Sequence, residues 1–249
     1  MYVKALWRYP VKSMLGEALE LAEVGYDGLS GDRAYAVYDH DTGFLASCKN
    51  PYLYGRLLYL QAMLNPSLKI KLPSGEVLEG GGISWGLSQF LGRRISLISN
   101  AEGRMKYLGY WPRIEELSHR QEYEVGETME NSFKDSAPVH VVFEENLGML
   151  ASQLGEAAAE RFRPNIVVCA GSPVREEEVI DRELVAGGVR LKAIRRTRRC
   201  VITTLPQPGL GRKNEILKKI YSDYRGFMGF YCTVLEPGLI RLGDTVKLL

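Results

Sequence analysis

The 249-residue chain is poor in the residues that usually mark metal or redox chemistry. It has three histidines, His40, His119 and His140, and they are scattered. No H-E-x-x-H occurs, so a zinc-hydrolase reading has nothing to rest on. The four cysteines, Cys48, Cys169, Cys200 and Cys232, form no C-x-x-C pair. Zinc ribbons, thioredoxin-like motifs and ferredoxin-type clusters therefore lack local support. Charge of one sign is lacking as well. Lys plus Arg number 32 and Asp plus Glu 30, a net of +2, so no global field favours nucleic acid and any anion site must be local. No apolar run approaches the roughly 20 residues needed to span a bilayer. Lys4 and Arg8 interrupt the first ten residues, and no apolar h-region follows. A cytoplasmic location with no membrane partner is expected, and disulfides are not expected there. Gly80-Gly81-Gly82 lacks the spacing of a phosphate loop. No internal repeat, low-complexity tract, nicotinamide, flavin or iron–sulfur signature is present.

What is there reads as short strands joined by turns. Residues 34–38 favour a strand that ends in the turn signal Asp39-His40-Asp41-Thr42-Gly43. Residues 57–63 are apolar enough for a buried strand. Residues 68–72 alternate with period two before Pro73-Ser74-Gly75-Glu76. Residues 83–91 predict a short helix with Trp85, Leu87, Phe90 and Leu91 on one face. Residues 102–135 are polar and weakly periodic, which predicts a long functional or mobile loop. A strand is expected over 138–143, then one helix over 145–162 stopped by Pro164. A β-branched strand follows at 165–169. Two apolar runs lie within 191–204, a short helix covers 216–221, and the tail alternates strands with tight turns. This pattern suggests a closed or nearly closed β-barrel.

Three segments carry candidate chemistry. In Arg195-Arg196-Thr197-Arg198-Arg199-Cys200, four arginines flank one cysteine. Nearby cations favour thiolate over thiol, and a soft thiolate suits a soft metal. A solvated basic strand around a buried structural cysteine fits the same residues. Arg161-Phe162-Arg163-Pro164-Asn165 offers planar guanidinium forks for phosphate and an amide that can both donate and accept. Arginines that offset a helix macrodipole are the competing account. Tyr9-Pro10-Val11-Lys12-Ser13 and Gly28-Leu29-Ser30-Gly31-Asp32-Arg33 each set a cation beside turn-forming residues. Cys48 sits in a loop that could line an entrance. Cys169 and Cys232 read as inert core residues, and His140 as a hydrogen-bonded strand residue.

In this order, the segments resemble the MOSC family, named for the C-terminal domain of molybdenum cofactor sulfurases, and within it the amidoxime reducing component-like branch. Besides the three segments above, Phe133-Lys134-Asp135-Ser136-Ala137-Pro138 resembles the family's F-x-D-x-x-P entry and Arg199-Cys200-Val201-Ile202-Thr203-Thr204 its R-C-x-x-T-T. Gly229-Phe230-Tyr231, Pro237-Gly238 and Arg241-Leu242-Gly243-Asp244 resemble its closing strands. The resemblance implies a β-rich α+β fold with a few short helices. An N-terminal β-barrel-like domain would cover residues 1–100 and a MOSC β-barrel residues 101–249. It implies a molybdenum–molybdopterin cofactor with Cys200 as catalytic residue and metal ligand. Lys12, Ser13, Arg33, Asp135, Ser136, Arg163, Asn165 and Arg199 would bind the cofactor. The implied activity is reduction of small N-oxygenated compounds with electrons from a separate flavin or iron–sulfur reductase. A cofactor carrier or sulfur-transfer module is the alternative, and a metal-free anion-binding barrel a third. One departure stands out: relatives often carry small residues before R-C, where Thr197-Arg198 stand here.

Overall fold

A computed structural model describes residues 1–110 and 123–249. Its main element is a curled eight-stranded sheet. From one edge to the other the strands are Val246–Leu248, Glu183–Ala186, Val189–Arg198, Phe227–Glu236, Val139–Phe143, Ile166–Cys169, Tyr2–Arg8 and Glu17–Leu19. The chain's first strand thus enters the sheet beside Ile166–Cys169, in antiparallel register with Tyr2 opposite Cys169. The curl brings the far edge back to it. Val3 N–H donates to Asp244 O, and Val246 N–H to Met1 O, both at 2.9 Å. Curling and near closure leave little unpaired edge, as in barrels generally.

Alternate residues of these strands fill the interior, where Val3, Leu6, Val139, Val141, Phe143, Ile166, Val168, Leu191 and Phe230 form one buried cluster. Strand Val139–Phe143 is buried along its whole length. Its inner face meets that cluster, while Val142 packs outward against Leu147, Leu150, Ile216 and Ile220. Both faces are covered, which explains an apolar run without alternation.

Five α-helices are present among the described residues: α1 (Pro51–Tyr54), α2 (Ile83–Leu91), α3 (Glu144–Leu154), α4 (Ala159–Phe162) and α5 (Asn214–Tyr224). Three sequence expectations change here. Residues 57–63 do not form one strand; a 3-10 turn, Gly55–Tyr59, precedes strand Gln61–Leu64. Leu57 and Leu58 are both buried, and a short apolar run does not distinguish strand from buried turn. The helix expected over 145–162 is two helices, because Gly155 at φ 76° ends α3 in the left-handed conformation. Trp85 does not share the buried face of α2. Leu87 is buried, whereas Trp85 is 69% exposed.

The N-terminal half has its own core, built from Val11, Met14, Val37, Leu57, Leu58, Ile70 and Leu87. A five-stranded sheet covers part of it, in the order Ile95–Ile98, Ala36–Asp39, Phe44–Leu45, Lys106–Tyr110 and Tyr123–Glu127. The last two strands lie inside the stretch expected to be a long loop and pair antiparallel, Lys106 opposite Glu127. The polar tract hid them because cross-strand pairing, not periodicity, makes them strands. Residues 111–122 of that expected loop lie outside the described residues. Val201 and Leu205, far along the chain, also pack into this N-terminal core. No helix among the described residues is long and apolar enough to cross a membrane.

Candidate functional site

A cavity of about 340 Å³ opens where the two cores meet, within the size range of small-molecule and cofactor sites. All nine sequence-predicted site residues line it: Lys12, Ser13, Arg33, Asp135, Ser136, Arg163, Asn165, Arg199 and Cys200. Three of them, Ser13, Arg33 and Arg163, have left-handed backbones, with φ of 68°, 49° and 55°. Such a conformation costs a non-glycine residue about 1–3 kcal/mol and persists where surrounding structure holds it.

The surroundings that hold these residues are identifiable. Asp32 is buried and accepts from Tyr9 N–H at 2.9 Å. It also takes both hydrogen bonds of Arg33 Nη1 at 2.7 Å. Arg33 Nη2 donates to Arg163 O at 3.3 Å, and Arg163 Nη1 donates to Met14 O at 2.6 Å. Both guanidinium groups lie against the Tyr9 ring, 4.5 and 4.4 Å from its centroid. Gly28 supplies a further constraint. A Cβ there would stand 2.2 Å from Pro138 O, and φ is +102°. Only glycine lets this turn press against the start of strand Val139–Phe143.

A second group surrounds Asp135. Its carboxylate bridges Lys12 Nζ and Lys49 Nζ, the latter at 2.9 Å. Lys12 also donates to Phe133 O at 2.9 Å and Lys49 to Tyr107 Oη at 2.8 Å. Burial would raise the Asp135 pKa, but the two lysines hold it well below the carboxylate range. Burial lowers Lys12, with Asp135 opposing. Burial also acts to lower Lys49, but Asp135 and Tyr107 outweigh it and raise it.

The third group presents Cys200. Strand Val189–Arg198 ends just before it, and Cys200 is extended, with φ −130° and ψ −180°. A 3-10 turn, Val201–Thr204, follows. The paired threonines of the motif now have a physical role. Thr203 Oγ1 donates to Cys200 O at 3.0 Å and Thr204 Oγ1 to Val201 O at 2.8 Å. Arg161 holds the same turn from outside the cavity. It donates to Leu205 O and Gly211 O at 3.0 and 2.6 Å and pairs with Glu156 at 2.8 Å. Arg161 is thus a buried structural clamp, and of the segment's two arginines only Arg163 lines the cavity.

Asn165 spends its amide on the backbone: Oδ1 accepts from His140 N–H at 3.1 Å and Nδ2 donates to Trp7 O at 3.3 Å. His140 also lines the cavity. Its Nδ1 faces Arg163 O and its Nε2 faces Arg199 Nη1, each at 3.4 Å. A carbonyl can only accept, so Nδ1 carries the proton and Nε2 accepts. Burial, then Arg199, hold the His140 pKa well below its ordinary value, so the ring is neutral. Arg199 Nη2 donates to Phe162 O at 2.8 Å, while its buried Nε has no hydrogen-bond partner among the described residues. Sequence reading missed Lys49, Lys134, His140 and Tyr231 as lining residues. Lys134 stands inside the quoted F-x-D-x-x-P segment, a signal that was available. Cys48 does not line the cavity. It is buried, donates to Ser13 O and Tyr54 O, and burial pushes its thiol up to about 12. Cys232 is buried and its thiol is likewise pushed up by burial.

Among the described residues, nine lysine and arginine side chains face two carboxylates and one thiol across the cavity. Such walls suit a multiply anionic ligand that also needs one soft donor. Fold and site together define a MOSC-domain protein. The family model described as MOSC domain matches residues 128–247, and that described as MOSC N-terminal beta barrel domain matches residues 1–79; the chain belongs to this family. Among curated proteins, it is 28% identical to the mitochondrial amidoxime reducing component 2 of Rattus norvegicus, over 98% of this chain and 82% of that one. It is also 28% identical to the human mitochondrial amidoxime-reducing component 1, over 99% and 82%. Among solved structures, the YUAD protein from Bacillus subtilis aligns over 99% of this chain and 94% of that one, at 12% identity and a TM-score of 0.46.

A molybdenum–molybdopterin cofactor fits the residues present. Its phosphate and dithiolene are anionic, the cation excess matches them, and the unpartnered Arg199 Nε is a buried donor awaiting an acceptor. The single cavity thiol is Cys200.

Proposed function

We propose that this protein binds a molybdenum–molybdopterin cofactor and reduces N-hydroxylated compounds with electrons from a separate flavin or iron–sulfur reductase. One observation carries the reading: among the described residues, nine cationic side chains and the Cys200 thiol converge on one cavity. Cys200 is the proposed metal ligand. Lys12, Ser13, Arg33 and Arg163 form the proposed phosphate end, since their elements already converge through Tyr9 and Asp32. Arg199 offers its free Nε to the ligand. Asp135 keeps Lys12 and Lys49 in place, and Ser136 and Asn165 shape the wall between the two halves.

When bound, the cofactor supplies two-electron chemistry that removes the oxygen of an N–O bond: R–NHOH + 2 e⁻ + 2 H⁺ → R–NH₂ + H₂O. The chain's part is binding and orientation. Thr203 and Thr204 fix the turn that sets the Cys200 thiol at the cavity wall. His140 holds its proton at Nδ1 and accepts from Arg199, which orients that guanidinium without adding charge. A cytoplasmic location belongs to the same proposal, and so does division of the chain into an N-terminal barrel-like domain and a MOSC barrel.

The test is metal content by mass spectrometry, on wild type and Cys200→Ala, both made in a host that synthesises molybdopterin. Near-stoichiometric molybdenum in wild type, reduced more than about tenfold in the variant, is expected. No molybdenum and no pterin in either protein would overturn the reading. Loaded wild type should then oxidise a reduced viologen only when an amidoxime or hydroxylamine is present. Cofactor binding without that oxidation would instead mark a carrier or sulfur-transfer module.

A further inference from the structure

The cations of the cavity differ in how they are neutralised. Lys12 and Lys49 share Asp135, Arg33 pairs with Asp32, and Arg196 with Glu176 and Glu177. Lys134, Arg163, Arg195, Arg198 and Arg199 have no carboxylate partner among the described residues, and of these only Arg195 and Arg198 are exposed, at the cavity rim. Each of these two is instead backed by a tyrosine. The Arg195 guanidinium lies 5.7 Å from the Tyr231 ring centroid and donates to Ser136 O at 2.6 Å. Arg198 lies 5.9 Å from the Tyr221 ring, and its Nε donates to Tyr221 Oη at 3.3 Å. These contacts use Nη2 of Arg195 and Nε of Arg198, so at least one guanidinium nitrogen of each remains available.

Their place in the chain separates them from the proposed phosphate end. Arg198 stands two residues before Cys200, and Arg195 pairs across the sheet with Tyr231, which also lines the cavity. Arg33 and Arg163 belong instead to the group assembled on Tyr9 and Asp32, and Lys12 to the group around Asp135. Strand Val189–Arg198 loses regular register between Ala193 and Arg195 and again between Arg196 and Arg198. Bulges of this kind re-aim side chains beside sites. A planar guanidinium held by an aromatic ring is preorganised for bidentate contact with a carboxylate or phosphate.

We propose that Arg195 and Arg198 form an anion-capturing rim, so that the site prefers N-hydroxylated substrates that also carry a carboxylate or phosphate group. The inference rests on the reductase reading above and names its substrate class. A small anionic molecule is favoured over an acidic protein partner because both arginines line the cavity itself.

The test uses holoprotein reduced by a viologen, so that docking of an electron-donor protein does not enter. Three probes are compared: benzamidoxime and its para-carboxy and para-phosphono derivatives. The two anionic probes are expected to show kcat/KM about tenfold above the neutral one, equivalent to ~1.4 kcal/mol. That ratio should shrink with added salt, because exposed charges are screened. Arg195→Gln and Arg198→Gln should each bring the ratio toward one, and Arg198→Glu should push it below one. A preference for only one anionic probe would still support the rim and identify which group it takes. A wild-type ratio near one, or a ratio unchanged in all three variants, would overturn the inference while leaving the reductase reading intact. So would variants that lose turnover only when a protein donor replaces the viologen, since that places the arginines at a partner interface. Absence of turnover with every probe would count against the reductase reading instead. Calorimetric binding of the same probes then decides the rim alone: tighter anionic binding lost in the variants supports it, and equal affinities overturn it.

Discussion

Replacing Asp135 with Asn probes the charge arrangement on which the site is built. The carboxylate lies between Lys12 and Lys49, whose side chains are 6% and 12% exposed. Asparagine keeps the size but leaves two ammonium groups facing each other without a counter-charge. Removing one partner of a buried ion pair costs about 3–5 kcal/mol. The Asp135 side chain is 31% exposed, and water screens part of that loss, so about 2–3 kcal/mol is expected near neutral pH. The pH dependence follows from the direction of the shift. Burial would raise the Asp135 pKa, but Lys12 and Lys49 depress it. A depressed acid contributes its full stability above the unfolded-state pKa of about 3.9 and loses it as pH falls toward the folded-state value. Urea denaturation followed by tryptophan fluorescence should therefore show a constant gap between wild type and Asp135→Asn from about pH 5 to 8. Below about pH 4 the gap should close. A difference under about 0.5 kcal/mol at neutral pH, or a gap that persists undiminished under acid, would refute the reasoning.

Five further substitutions probe local contacts and backbone conformation. Gly28→Ala should cost about 3 kcal/mol or more, because its Cβ meets Pro138 O at 2.2 Å. Gly75→Ala, also at positive φ but with nothing within 4 Å, should lose only about 1 kcal/mol; thermal denaturation of the pair separates contact from strain. Arg161→Met should destabilise by about 3 kcal/mol, since it strands Glu156 and the carbonyls of Leu205 and Gly211. An equal loss of stability in Glu156→Gln would show that the ion pair carries the effect. Arg225→Gly should stabilise by up to about 1 kcal/mol, because exposed Arg225 ends α5 at φ 56°, and a chemical-denaturation midpoint that falls would contradict this.

Much of the fold was legible because its signals are local. Alternation over residues 68–72 marked strand Leu68–Lys71, and the apolar spacing of residues 83–91 marked α2. Cys200 and its flanking arginines stood out because a thiol among cations is chemically unusual at any position. The errors came where local signals are ambiguous. Residues 57–63 are apolar whether they turn or extend. Gly155 inside a helical pattern is either tolerated or a cap. The strands Lys106–Tyr110 and Tyr123–Glu127 exist through each other, and neither carries a clear period of its own.

By itself, the sequence determined the β-rich class, the order of the motifs and the residues able to meet an anion or a soft metal. Residue chemistry, short-range backbone preference and the resemblance of the ordered motifs to a known family carry these. Only the tertiary structure decided which of those residues meet. Strand Tyr2–Arg8 joins the sheet beside Ile166–Cys169, and that pairing sets Lys12, Ser13 and Arg33 against Arg163. The same folding sent Arg161 away to clamp a loop, although only Phe162 separates it from Arg163. It also brought in Lys49 through Asp135, and His140 through Arg199, as lining residues with no motif of their own. Such contacts join residues dozens to more than a hundred positions apart. Their partners are chosen by how the two cores pack, which no local pattern encodes.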